Sequence, residues 1–498
     1  MIATKRLQFF TFSLLAGALL PFAFAPHNAW PLAILSPALL LLVWQSPSVS
    51  PRFAAVLGLT YGLGLFGVGV SWVFVSIHHY GNTDIATASF LTFLFVAVLA
   101  LFISAQGYFL KRFFKGGLLQ FSLIGFPCSW VLFEWLRTWL FTGFPWLFLG
   151  YSQLDTFLSA YAPLSSVYAV SLAVLLLSGA LAVALLNLKK IKILVGSLGL
   201  IVLIFGVGLV LSLQDFTKAN PKQYTVSIVQ GNIDPMHKFP GKDEIKATEE
   251  SYEALTKAYW GSDLILWPES AIPLPVPYAK PYLKHLDEEA KKHNSTLITG
   301  LQIINEKDEY FNSMMALGMG EGTYNKYHLV PFGDFLPFDQ WIRGLVNFFD
   351  IPMSSFKSGT KDQVLLTAGK LSLEPLICYE VAFPEQVREN LRKADAIVNL
   401  SEDGWFGSSW GPHQHLEIAQ MRALETGRYL LRSTPSGITA IIDPKGRIVK
   451  RIPQFEATVL NGSFYSMQGE TPWVKIGLWP LLIILILGFF LPGRWRFR

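Results

Sequence analysis

Only two of the 498 residues are cysteines, Cys128 and Cys378. Cys378 ends the alternating run "KLSLEPLICYE" at 370–380 and is followed by Tyr379 and Glu380. An ordinary thiol has a pKa near 8.5, so only about 3% is thiolate at pH 7. A nucleophilic role therefore needs a base, a nearby cation, or both. Two other segments offer them. "DLILWPES" at 263–270 is an apolar run that stops at a proline and delivers Glu269. "GTYNKYHLVPFGDFLP" at 322–337 places Lys326 at the end of a short hydrophobic stretch. A fourth run, "ADAIVNLSEDGWFG" at 394–407, ends in a polar, aromatic loop. Strand ends that converge in polar loops are where sites are built, and a carboxylate, an ammonium and a thiol suit acyl transfer through a thioester. Each residue alone also has a plainer reading. A lone cysteine serves as a small core hydrophobe, a glutamate after Trp-Pro as a turn residue, and a lysine as a solvated charge.

The elements around these residues are of two kinds. The chain is 52% hydrophobic and 15% charged, with a mean hydropathy of +0.39; ordinary soluble domains carry about 25% charge. Spanning helices need roughly 20 mostly apolar residues. Windows of that kind fall at 7–25, 29–46, 54–77, 85–110, 118–138, 162–187, 193–213 and 475–492. Residues 215–472 contain no such window and read as one soluble domain of strands, Pro/Gly turns and amphipathic helices. The expected organisation is a seven-span membrane domain at 1–214, a soluble domain at 215–472, and a final span with a basic tail at 473–498. About eight spans form a multi-pass α-helical bundle.

Charge divides at the same boundaries. Residues 215–472 hold 26 Lys+Arg and 32 Asp+Glu, and the remainder holds 14 and 3. The overall pI of 8.9 is thus no sign of nucleic-acid binding, because the excess basic residues flank membrane spans, where they set orientation. A cytoplasmic N-terminus puts Arg52, Lys111, Arg112, Lys115, Lys189, Lys190, Lys192, Arg494, Arg496 and Arg498 inside along with Lys5 and Arg6. Only Arg137 and Lys475 fall outside. The soluble domain then faces the exterior and both termini face the cytoplasm. Lys5-Arg6, the following apolar run and "AFA" at 23–25 also fit a signal peptide and its cleavage site. An uncleaved anchor is the expectation, because a second apolar span follows almost at once. An exterior compartment is oxidising. Cys128 lies in a span, so a disulfide with Cys378 is not expected, and an unpaired exterior thiol points to chemistry.

Taken in order, "LWPES", "NKYHLVPFGDFLP", "ICYE" and "NLSEDGWFG" resemble the Glu, Lys and Cys motifs and the following loop of the nitrilase superfamily. "FEWLRTWLFTGFPWLFLGYSQ" at 133–153, "VQGNI" at 229–233 and "MRALETGRYLLRSTPSGITAIIDPKGRI" at 421–448 are similar to segments of its membrane branch, the apolipoprotein N-acyltransferases. The resemblance spans essentially the whole chain. It implies a four-layer α-β-β-α sandwich for the soluble domain, on the periplasmic side of a bacterial inner membrane. It implies Cys378 as nucleophile, Glu269 as general base, Lys326 as transition-state stabiliser and the Tyr379 N–H as an oxyanion donor. It also implies transfer of a fatty acyl chain from a phospholipid, typically phosphatidylethanolamine, to the α-amine of a diacylglyceryl-cysteine lipoprotein. No cofactor is expected, and a monomer is.

Departures from the family pattern carry their own expectations. Asp334 stands where a glutamate is usual, one methylene shorter, which puts its reach in question. Phe239 stands where tryptophan is common, as an apolar lid surface. Glu402 and Gly404 replace more usual residues of the "SNDAWFG" pattern. Glu380 holds either Lys326 or a lid loop, or sits at the surface. Trp405 and Phe406 are mobile or lipid-facing aromatics, or core. Glu134 and Arg137 pair at the membrane edge. His78, His79, His328, His413 and His415 lack carboxylate-rich ligand spacing, and no metal site is expected.

Two rivals remain. A membrane-tethered amidase or nitrilase-like hydrolase would use the same three residues but deliver the acyl group to water. A transporter with an exterior binding module is disfavoured by the few charges in the spans, because transport pathways need polar groups in the membrane. The orientation is directly testable. Reporter fusions in the 111–115 and 189–192 loops should read cytoplasmic and fusions within 215–472 exterior. A cytoplasmic reading from the large domain would overturn the charge argument.

Overall fold

A computed structural model describes residues 2–233, 242–337, 355–391 and 393–491. The chain divides into two units: Met1–Phe74, Ile85–Asp215 and Lys475–Arg498 form one, and Val75–Asp84 with Phe216–Val474 form the other. Phe239 lies outside the described residues.

Among the described residues of the first unit, six helices are long and apolar enough to cross a membrane: Arg6–Ala23, Pro51–Gly69, Ile85–Phe113, Leu118–Leu136, Phe157–Leu186 and Ile191–Ser212. Pro31–Gln45 and Trp479–Phe490 are shorter apolar helices at two further expected spans. In lipid there is no hydrophobic drive between helices, so close backbone approach at small residues holds them together. A Cβ on Gly17 would stand 2.0 Å from the Tyr61 carbonyl oxygen, and one on Gly58 2.5 Å from that of Ile103. The helix expected over 54–77 ends at Gly69, and Val75–Asp84 belongs to the other unit. Glu134 and Arg137 also contact other groups. Glu134 accepts hydrogen bonds from the Trp130 indole at 3.2 Å and the Leu149 N–H at 2.9 Å. The Arg137 guanidinium lies over the rings of Phe66 and Phe148, at 5.0 and 4.9 Å.

The second unit contains two six-stranded sheets. The first comprises β1 (Lys218–Gln230), β2 (Leu264–Leu266), β3 (Thr296–Ile304), β4 (Tyr310–Gly318), β5 (Thr323–Asn325) and β12 (Thr458–Gln468), in the order β12-β1-β2-β3-β4-β5. The second comprises β6 (Leu366–Ala368), β7 (Leu371–Ile377), β8 (Ala396–Leu400), β9 (Leu430–Ser433), β10 (Thr439–Ile442) and β11 (Ile448–Ile452), in the order β11-β10-β9-β8-β7-β6. Each has a parallel centre, β1-β2-β3 and β7-β8-β9, flanked by antiparallel strands.

Side chains alternate across a strand with period two, and this builds the layers. Leu264 and Leu266 join Val398, Leu373 and Leu431 in the core between the sheets. Ile265 and Trp267, on the opposite face, join Leu283 and Leu286 of the helix Val276–Lys292. Strands covered on both faces read as continuous apolar runs, as "LIL" and "AIVNL" do. Pro375 cannot donate to a ladder. Its position is permitted because β6 pairs with β7 only as far as Leu373. The helices Pro384–Leu391 and Gly411–Thr426 cover the second sheet, completing an α-β-β-α sandwich.

Candidate active site

Ligands in α/β sheets bind beyond the carboxyl ends of parallel strands, and the candidate residues cluster there. Glu269 lies three residues past β2, Cys378 directly follows β7, and Lys326 directly follows β5. Each is held from its own backbone. The 267–272 segment is pinned to β3: the Trp267 N–H donates to the Ile298 carbonyl at 2.9 Å, and the Gly300 N–H to that of Pro268 at 3.2 Å. Only glycine fits at 300, since a Cβ would stand 2.5 Å from the Ser270 nitrogen and 2.7 Å from the Glu269 Cα. The Lys326 N–H donates to the Asn312 carbonyl at 2.8 Å. Cys378 has a φ of +53°, a left-handed conformation that residues with a Cβ adopt only when the surroundings hold them in it.

Lys326 is the electrostatic centre. It is 1% exposed, and its Nζ lies 2.7 Å from Asp334 Oδ2 and 3.7 Å from Glu269 Oε1. Burial opposes the ammonium, but Asp334, Glu269 and Cys378 hold its pKa well above the usual lysine range. The shorter Asp334 does reach the lysine, and the same Oδ2 accepts the Val330 N–H at 2.8 Å. Glu269 Oε1 accepts from the Asn312 amide at 2.7 Å. Its Oε2 is buried and meets no hydrogen-bond partner among the described residues. One carboxylate oxygen is thus anchored, while the other has no partner among the described residues.

Burial and the charge of Glu269 push the Cys378 thiol up to about 12, against the opposing pull of Lys326 and of a backbone hydrogen bond from Glu402. The cation next to the thiol suggests a lowered pKa when the motifs are read alone. Burial of the sulfur, with the Glu269 charge added to it, reverses that sign. Cys378 rests as a neutral thiol in the field of the Glu269 carboxylate.

Glu380 is fully buried and does not sit at the surface. Its Oε1 accepts from the Tyr324 hydroxyl and the Tyr327 N–H, each at 2.8 Å, and from the His328 N–H at 3.0 Å. Its Oε2 accepts from the Ile377 N–H at 2.7 Å. One carboxylate therefore joins the segment after Lys326 to the residue before Cys378. Burial raises its pKa, opposed by the N–H groups of Ile377 and His328.

Trp405 and Phe406 are both partly buried. The Trp405 carbonyl accepts from Ser76 Oγ at 2.8 Å and its ring meets Tyr80 edge-on at 5.5 Å. Phe406 meets His415 edge-on at 6.5 Å. Tyr379 packs edge-on against Phe383 at 5.0 Å. Asn312, which anchors Glu269, has no motif of its own and lies in the middle of β4, so only cross-strand register brings it to the site. No group of three His, Cys, Asp or Glu side chains suited to a metal occurs among the described residues.

Comparison with known proteins follows the same division of the chain. A family model described as the apolipoprotein N-acyltransferase N-terminal domain matches residues 16–180, and one described as carbon-nitrogen hydrolase matches 225–464. The chain is 44% identical over 477 residues to an apolipoprotein N-acyltransferase of Coxiella burnetii, covering 95% of this chain and 98% of that one. It is 41% identical to one of Azotobacter vinelandii, covering 97% and 94%. Among solved structures, a carbon-nitrogen hydrolase of Helicobacter pylori is 15% identical, with a TM-score of 0.38, covering 52% of this chain and 94% of that one.

Two outcomes follow from the geometry. Lys326→Arg should lose activity nearly as fully as Lys326→Ala, because a planar guanidinium cannot occupy the position of a compact ammonium 2.7 Å from Asp334. The expected loss in turnover is about 10²–10³-fold, and near-normal turnover would show that only a distant positive charge is needed. Glu269→Gln removes a charge that raises the thiol's pKa, so the thiolate fraction at a fixed alkaline pH should rise, about tenfold for each unit of pKa lost. Iodoacetamide should then label Cys378 faster at about pH 9 even though base catalysis is gone. An unchanged labelling profile would mean that Glu269 carries no charge close to the sulfur.

Proposed function

The chain belongs to the apolipoprotein N-acyltransferase family, an acyltransferase branch of the nitrilase superfamily that N-acylates lipoproteins, and we propose that it does so by a two-step thioester mechanism on Glu269, Lys326 and Cys378. The observation that carries this reading is the Glu269 carboxylate, with Oε1 tied to Asn312 and Oε2 without a partner among the described residues, in the field of both Lys326 and the Cys378 thiol.

In the first step Glu269 takes the thiol proton as the sulfur attacks the ester carbonyl of a membrane phospholipid. The negative charge on the carbonyl oxygen falls beside the Lys326 ammonium, with the Tyr379 N–H as a second donor. Collapse of the intermediate breaks the ester C–O bond, and Glu269 returns the proton to the departing glyceryl oxygen. In the second step the α-amine of the diacylglyceryl-cysteine attacks the thioester, Glu269 accepts its proton, and the thiolate leaves and is reprotonated. A protonated amine has no lone pair with which to attack, so the base is needed twice. Asp334 keeps Lys326 charged throughout. Phosphatidylethanolamine is the proposed donor and the monomer the proposed active form, in the inner membrane with the 215–472 domain in the periplasm.

Intact-mass analysis after incubation with phosphatidylethanolamine should show one added acyl mass on Cys378. It should vanish in Cys378→Ala and on adding a lipopeptide with a free diacylglyceryl-cysteine amine. Release of fatty acid at the same rate with and without that amine would favour the tethered hydrolase instead.

A further inference from the structure

Beneath the nucleophile lies a buried cluster with no part in the chemistry above. His415, on the helix Gly411–Thr426, places Nε2 3.2 Å from the Cys378 carbonyl oxygen. Its Nδ1 lies 2.9 Å from Asp403 Oδ1 and 3.0 Å from Arg432 Nη2. Arg432, on β9, brings the same Nη2 within 2.9 and 2.7 Å of the two Asp403 oxygens, and the Ser401 hydroxyl donates to Oδ1 at 2.9 Å. The three side chains are at most 1% exposed. The fit is tight, since a Cβ on Gly437 would stand 2.6 Å from that of Asp403.

We infer that His415, aligned by Asp403 and Arg432, is a positioning residue that fixes the Cys378–Tyr379 peptide plane and thereby aims the Tyr379 N–H at the reacting carbonyl. A carbonyl oxygen only accepts, so Nε2 carries a hydrogen and donates to it, and Nδ1 of the neutral ring accepts from Arg432 Nη2, which Asp403 in turn orients. In a planar trans peptide the C=O and the N–H point in opposite directions. Holding the Cys378 oxygen therefore fixes the direction of the Tyr379 N–H. The constraint matters here because Cys378 has a φ of +53°, which the peptide leaves once it is not held. Asp403 and Arg432 supply the counterweight. Burial opposes ionisation of Asp403, yet the Arg432 guanidinium holds its carboxyl well below the usual range. Two elements of the second sheet, the loop after β8 and strand β9, thus fix the ring of a third. The inference rests on the thioester mechanism proposed above.

The test compares two reactions of the same sulfur in the full-length protein in detergent micelles. Thioester formation from phosphatidylethanolamine needs oxyanion stabilisation, whereas iodoacetamide alkylation does not. His415→Leu, similar in bulk but without a donor, should slow thioester formation about 10- to 100-fold and change the alkylation rate less than threefold across pH, with the melting transition retained. His415→Gln restores an N–H donor that Asp403 does not align, and its thioester formation should fall between Leu and wild type. A Gln variant as slow as Leu, or a Leu variant as fast as wild type, overturns the inference while leaving the thioester mechanism standing. If His415→Leu does not fold, the Gln variant decides. Thioester formation slowed more than alkylation supports the positioning role, and equal slowing or none overturns it. Absence of any acyl adduct on wild-type Cys378 removes the mechanism and the inference together.

Discussion

The site depends on keeping one ammonium charged where water does not reach it. A buried charge is tolerated only when paired and hydrogen-bonded, and Lys326 has two carboxylates within 4 Å, Asp334 at 2.7 Å and Glu269 at 3.7 Å. The pair is unequal, and the inequality divides the labour. Asp334 is close enough to hold the lysine permanently. Glu269 stands further off, anchored by Asn312 instead, and its other oxygen is the one proposed to transfer the proton. Burial first and the Glu269 charge second drive the thiol up to about 12 against the pull of Lys326, so it rests neutral. That arrangement favours a carbonyl substrate over adventitious electrophiles. In the proposed mechanism, deprotonation becomes favourable when the negative charge moves onto an oxygen beside Lys326, with Glu269 in place to take the proton.

Holding such charges within ångströms requires a rigid frame, and the frame is the pair of sheets. Glu269 and Lys326 follow strands of the first sheet, and Cys378 and Asp403 follow strands of the second. The inter-sheet core of Leu264, Leu266, Leu373 and Val398 sets the distance between the two sets. Glu380 ties the Lys326 side to the Cys378 side through backbone N–H groups. Removing one partner of such a buried network leaves several donors without an acceptor, which costs about 1–3 kcal/mol for each.

The membrane unit answers a demand made by the substrate. Each methylene buried is worth about 0.8 kcal/mol, so holding roughly fourteen of them in water would cost about 11 kcal/mol. In the proposed mechanism, an acyl chain carried on Cys378 must therefore stay out of water between the two steps. An enzyme that used only a soluble sandwich would have to build that shelter itself, and the sandwich interior here is already filled by side chains.

Much of this was legible in the residues. Apolar windows marked the spans, because lipid demands long uninterrupted apolar helices. Runs such as "LILWPE" and "LICYE" marked strands ending in reactive groups, because doubly covered strands are apolar throughout. The spacing of Glu269, Lys326 and Cys378 along the chain, by contrast, carries no distance in space. Only the folded sheets decided that Asp334 reaches Lys326, that Asn312 anchors Glu269 across β4, and that Glu380 is a buried tie. Only they brought His415, Asp403 and Arg432 together behind Cys378. The sign of the thiol's shift was decided there too. A pKa depends on the burial of a group and on every charge within a few ångströms, and those are properties of packing between segments far apart in sequence.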